Sequence, residues 1–88
     1  MPKSTFTNEY AVFLRTLRQA RDTAGVTQVD LARRLGMTQS AVSKCERGER
    51  RLDIIEVCRW CAVLKVPFRE FASDLDRALS RAGGTSAR

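Results

Sequence analysis

Gln39, Ser40, Ser43 and Lys44, with Arg47 close behind, set a carboxamide, two hydroxyls, an ammonium and a guanidinium within one short run of the chain. None of these groups has a general base beside it, and the sequence contains no histidine at all. The chemistry on offer is therefore recognition by hydrogen bonding and charge. A glutamine can bond adenine bidentately in a DNA major groove, serine can serve several bases, and lysine reaches guanine acceptors. Arg47, Arg50 and Arg51 follow in a turn marked by Gly48, a set suited to phosphate oxygens.

Such groups are useful only if a rigid element presents them together. Thr38 reads as an N-cap, and Ala41, Val42 and Cys45 recur behind it at helical spacing. Upstream, Thr27 caps a shorter helix with Leu31, Ala32 and Leu35 as its apolar stripe. Asp30 stands where a side chain could return to the cap amide, in a weaker form of the capping box, which prefers Glu or Gln. Gly36 ends this helix where a positive φ is needed. The connection from Gly36 to Thr38 is too short for a relaxed loop, so the two helices must cross steeply, at about 90–120°. Ala32 keeps the crossing close, because a larger side chain there would push the second helix away.

The run from Thr27 to Arg50, TQxxLAxxLGxTQSxVSKxERGER, resembles the helix-turn-helix of the phage repressor and Cro family, the xenobiotic-response-element family of bacterial regulators. With the flanking helices the resemblance extends over roughly residues 8–72. It implies an all-α, five-helix, repressor-like domain that binds double-stranded DNA. It also implies roles: Gln39, Ser40 and Lys44 would read bases, and Gln28, Ser43, Arg47, Arg50 and Arg51 would lie along phosphates. In the same family an arginine of the first helix pairs with the glutamate of the ExG step, which implies a structural ion pair between Arg21 and Glu46.

Composition agrees with a polyanionic partner. The net charge is +6, and residues 1–51 carry ten basic and five acidic groups against six and five in residues 52–88. The excess therefore lies with the reading elements, and the C-terminal part is close to neutral. At 88 residues the chain holds one small domain.

The remaining elements act as support. Residues 1–7 read as a flexible arm. A first helix starts near Thr7 or Asn8, with Tyr10, Phe13, Leu14, Leu17 and Ala24 as its stripe, and Gly25 ends it. Asp53 and Glu56 form a stronger capping box for a fourth helix, which turns Val57, Trp60, Cys61 and Leu64 inward. Val66 and Pro67 close that helix and launch a fifth over 67–82, with Phe68, Phe71, Ala72, Leu75 and Leu79 along one side. The domain thus spans 8–82, with its helix-turn-helix at 28–47, and residues 83–88 read as a disordered tail.

Phe68 and Phe71 are expected in the core, whereas Leu75 and Leu79 extend past a minimal domain. They could fold back on the first helix or meet a second copy, and the dimer contact is the reading adopted. A two-fold dimer sets two reading helices about one DNA turn, ~34 Å, apart, so a palindromic operator is expected. The expected function is a sequence-specific transcriptional regulator, most simply a repressor. The alternative is a partner-binding module of antitoxin type, whose DNA binding is secondary or autoregulatory.

Three cysteines, Cys45, Cys58 and Cys61, include a CxxC but no second ligand pair, so structural packing is expected and no metal or cofactor. No signal-like N-terminus accompanies them, so the expected compartment is the cytoplasm. Asp74 and Asp76 point to different faces of one helix, no phosphate loop exists, and no enzymatic activity is expected. No apolar run approaches the ~20 residues of a membrane span.

Overall fold

A computed structural model describes residues 7–82; the expected arm and tail fall, apart from Thr7, outside the described residues. Five helices and no strand make up the described residues: α1 (Asn8–Ala24), α2 (Gln28–Leu35), α3 (Gln39–Glu46), α4 (Ile54–Leu64) and α5 (Phe68–Ala82).

Local chemistry accounts for the helix ends. The side chains of Thr7, Thr27 and Thr38 each accept the backbone N–H three residues on, at 3.0 Å, which satisfies an otherwise orphaned donor. Asp53 and Glu56 complete a reciprocal box at α4, with bonds of 2.8 and 2.9 Å. Asp30 does not complete one at α2, because its carboxylate pairs with Arg33 one turn along instead. Gly36 takes φ 72° in the turn before α3, a left-handed conformation that spares it the clash of a Cβ. The fourth helix ends on a residue the sequence does not flag: Lys65 adopts the left-handed region at φ 62°, and its N–H and that of Val66 return to the last turn of α4.

The core gathers Leu17, Leu31, Ala32, Val42, Cys45, Val57, Trp60, Cys61, Leu64 and Phe71 from all five helices. α2 packs on both α3 and α4, α3 also meets α1, and α5 lies along α1. Two expectations change here. Ala24 is exposed, because α1 ends there, while Val12 is buried. Phe68 is 36% exposed where a core residue was expected; only Phe71 enters the core, with Phe13 edge-on to it at 6.1 Å. The cause is the first turn of α5, where Phe68 sits on the rim of the cover that α1 and α4 supply.

Candidate nucleic-acid interface

The outer face of α3 is what the packing leaves over. Val42 and Cys45 are fully buried and lock the helix rotation, so Gln39, Ser40 and Lys44 stand exposed on the opposite side and Ser43 is half-buried between the faces. Basic side chains continue the surface at Arg47, Arg50 and Arg51, all exposed.

Beneath this face lies a buried ion pair. Arg21, 8% exposed, donates from Nε and Nη2 to the two carboxylate oxygens of Glu46 at 2.6 and 3.0 Å. Its Nη1 donates to the carbonyl of Val26 at 2.9 Å, in the connection to α2. One guanidinium thereby ties α1, the α1–α2 connection and the end of α3 together. The hydrogen bond to Glu46 raises the Arg21 pKa further above its ordinary value, so the cation is held permanently.

The ion pair continues outward. Gln28 donates from Nε2 to Glu46 Oε1 at 2.8 Å, and Gln39 donates from Nε2 to Gln28 Oε1 at 2.7 Å. Gln28 thus has both ends of its carboxamide engaged, with one N–H left over. Each of these glutamines is the first residue of its helix, directly after a threonine cap. Sequence reasoning assigned them separate tasks and missed the link. The repeated Thr-Gln step at the two helix starts is the signal that could have found it.

The arginines are tethered rather than free. Arg47 donates to Ser43 Oγ and, at 2.9 Å, to Glu49, whose carboxyl that bond holds below its usual range. Arg50 donates to Glu56 at 3.0 Å and lies 3.7 Å from the Cys45 sulfur. Arg51 stacks 4.3 Å over the Tyr10 ring, and the Tyr10 hydroxyl accepts the Leu52 N–H at 3.1 Å. The turn after α3 is therefore fastened to α1 through Tyr10 and to α4 through Glu56.

Next to this turn, sharing Tyr10 with it, an apolar groove of about 440 Å³ is lined by Tyr10, Phe13, Ile54, Phe68, Leu75 and Leu79, among others. Leu75 packs partly against the core, Leu79 is half-buried, and Ile54 and Ile55 are 60% and 57% exposed. Among the described residues no cluster of three potential metal ligands occurs, and no helix is long and apolar enough to cross a membrane.

Comparison with known proteins places this geometry. The family model described as helix-turn-helix matches residues 17–71. The chain is similar to a Rhodospirillum rubrum protein described as an uncharacterized transcriptional regulator in the ATPase CF(0) region, 35% identical over 68 residues that make up 77% of this chain. The match spans 63% of that relative's length. A solved structure, an XRE-family like protein from Pseudomonas syringae pv. tomato str. DC3000, is 43% identical with a TM-score of 0.73, covering 78% of this chain and 84% of the other. The chain belongs to the XRE-type helix-turn-helix family of DNA-binding transcriptional regulators.

Proposed function

We propose that the protein is a sequence-specific regulator that binds a palindromic operator as a homodimer and acts as a repressor where that site overlaps a promoter. The observation that carries this reading is the exposure of Gln39, Ser40 and Lys44 on one side of α3 while Val42 and Cys45 anchor the other. In this reading α3 enters the major groove, and Gln39, Ser40 and Lys44 meet base edges. Gln28, Ser43, Arg47, Arg50 and Arg51 follow the phosphates. Leu75 and Leu79, with the exposed Ile54 and Phe68 beside them in the groove, supply the apolar face for the second copy. The same groove would seat the helix of a partner protein in the antitoxin-like alternative.

Selection of bound sites from a random duplex pool tests the proposal. Two inverted half-sites about one helical turn apart are expected. Loss of all sequence preference on replacing Gln39 and Ser40 by Ala, with nonspecific affinity retained, is the matching result. A log–log salt slope near about −5, from roughly six phosphate contacts per dimer, is expected as well. Half-sites without symmetry would remove the dimer, and equal loss on all DNA would remove the base-reading assignment.

A further inference from the structure

We infer that Glu46, which has no exposed role of its own, sets the base preference of Gln39 by fixing which atoms of two carboxamides face outward, and so acts as a specificity-positioning residue for adenine. The inference rests on the reading of Gln39 as a base-contacting residue and adds to it the polarity of the contact.

A carboxamide has a donor end and an acceptor end of nearly the same shape, so an isolated glutamine can present either. Here the choice is removed step by step. Glu46 is gripped by the Arg21 guanidinium through both oxygens, at 2.6 and 3.0 Å, and toward any third group it can only accept. Gln28 must therefore turn its NH2 to Glu46, as the 2.8 Å bond has it, and its carbonyl oxygen outward. Gln39 must then turn its own NH2 to that oxygen, at 2.7 Å. What remains free on Gln39 is its carbonyl oxygen and one N–H. Adenine offers the complementary pair on its major-groove edge, the N6 donor and the N7 acceptor. Guanine offers two acceptors, and its O6 would face the Gln39 oxygen with no proton between them. The donor direction is thus handed from a buried guanidinium to an exposed amide through four side chains on α1, α3, α2 and α3 again.

Charge reversal of the buried pair turns the argument into a measurement. In Arg21→Glu/Glu46→Arg the group facing Gln28 donates instead of accepting, so both carboxamides must invert. Gln39 then presents two N–H groups, the pattern that suits guanine. Duplexes carrying the selected site, with adenine replaced by guanine at each position in turn, supply the readout as a ratio of dissociation constants. The wild type is expected to favour adenine at one position per half-site by roughly 5- to 150-fold, the range of one bidentate base contact. The swapped pair should move that ratio past unity toward guanine at the same position only. Glu46→Gln, whose amide can face Gln28 either way, should bring it to within about threefold of unity. Circular dichroism melts report whether each variant folds. Gln28→Leu leaves the ion pair whole and cuts the relay at its middle, so it decides the matter if neither pair variant folds: the adenine preference should again fall to near unity.

An adenine preference that stays intact in a folded Glu46→Gln variant or in Gln28→Leu overturns the inference. So does a loss of discrimination spread evenly over all positions, the mark of general loosening. Gln39→Ala separates this failure from that of the underlying reading. If Gln39→Ala erases the preference at one position while Glu46→Gln and Gln28→Leu do not, Gln39 reads the base unaided. If Gln39→Ala changes no position, base reading by Gln39 falls, and the inference with it.

Discussion

Arg21 in the first helix and Glu46 at the end of the third meet in a two-point ion pair, 2.6 and 3.0 Å, with side chains 10% and 5% exposed. The pair is buried between the elements that set the height of α3 above the core, so its geometry bears on stability and presentation alike. Removing one partner leaves the other charge buried and unpaired, which costs roughly 3–5 kcal/mol, whereas replacing both with apolar groups is often neutral. Arg21→Met alone should therefore lower the unfolding free energy by about that amount. Arg21→Met/Glu46→Leu should recover much of the stability. Chemical denaturation of the three proteins measures this, and a double variant no more stable than the single one would show that the pair contributes more than its own desolvation.

Lys65 closes α4 at φ 62°, where a Cβ crowds the following carbonyl. The left-handed region costs a non-glycine residue about 1–2 kcal/mol, and Lys65→Gly removes the clash while giving back part of the gain as chain entropy. A net stabilisation of about 1 kcal/mol is expected, which for a domain of this size raises Tm by roughly 4–8 °C. Gly36→Ala is the opposite case. Beyond its own chain neighbours no residue comes within 4 Å of the added Cβ, so the loss of about 1 kcal/mol comes from the local backbone alone. Thermal melts that fail to move in opposite directions would show that the two turns relax.

The contrast between these turns explains what could be read in the sequence. Thr27, Thr38, Asp53 and Gly36 act through bonds and φ angles within a few residues of themselves, so the helix boundaries and the tight turn were legible. Lys65 uses the same cap geometry without the glycine that announces it. Phe68 and Phe71 share a helical stripe, but which of them is covered depends on where α1 and α4 lie, a non-local fact. The Gln28–Gln39 bond is non-local in the same sense, joining two helix starts across the turn. Arg50 was legible as a cation of the turn after α3, but its attachment to Glu56 was not, since Glu56 already had a local task in the capping box.

Cys61 is almost fully buried on α4, and burial pushes its thiol up to about 11; burial raises the thiol of Cys45 on α3 as well. The thiolate is the reactive form. At pH 8 only the half-buried Cys58 should react with iodoacetamide at an appreciable rate, and intact-mass spectrometry should show one fast addition followed by a long plateau. Linkage gives a second consequence. A thiol whose folded pKa is raised binds its proton more tightly when folded, so its contribution is fully present below the ordinary value of 9.0 and declines as pH rises toward about 11. Stability should fall through that window, and Cys61→Ala should flatten the decline. Equal labelling of all three cysteines at pH 8 would show that both α3 and α4 open readily.

Leu79 is half-buried along the groove between α5, α1 and the start of α4, one turn beyond Leu75, which already packs on the core. A charge at position 75 would damage the fold itself; a charge at 79 chiefly affects whatever covers the groove. Leu79→Glu should therefore lower Tm by only a few degrees, consistent with about 1 kcal/mol or less from a half-exposed site. In sedimentation experiments it should abolish concentration-dependent association. Operator affinity should fall far more than affinity for a single half-site, because linking two half-site contacts is what the second copy supplies. If Leu79→Glu lowers Tm steeply and leaves the sedimentation coefficient of the folded fraction unchanged, the end of α5 belongs to the monomer core. The two reading helices would then have to be spaced by another surface.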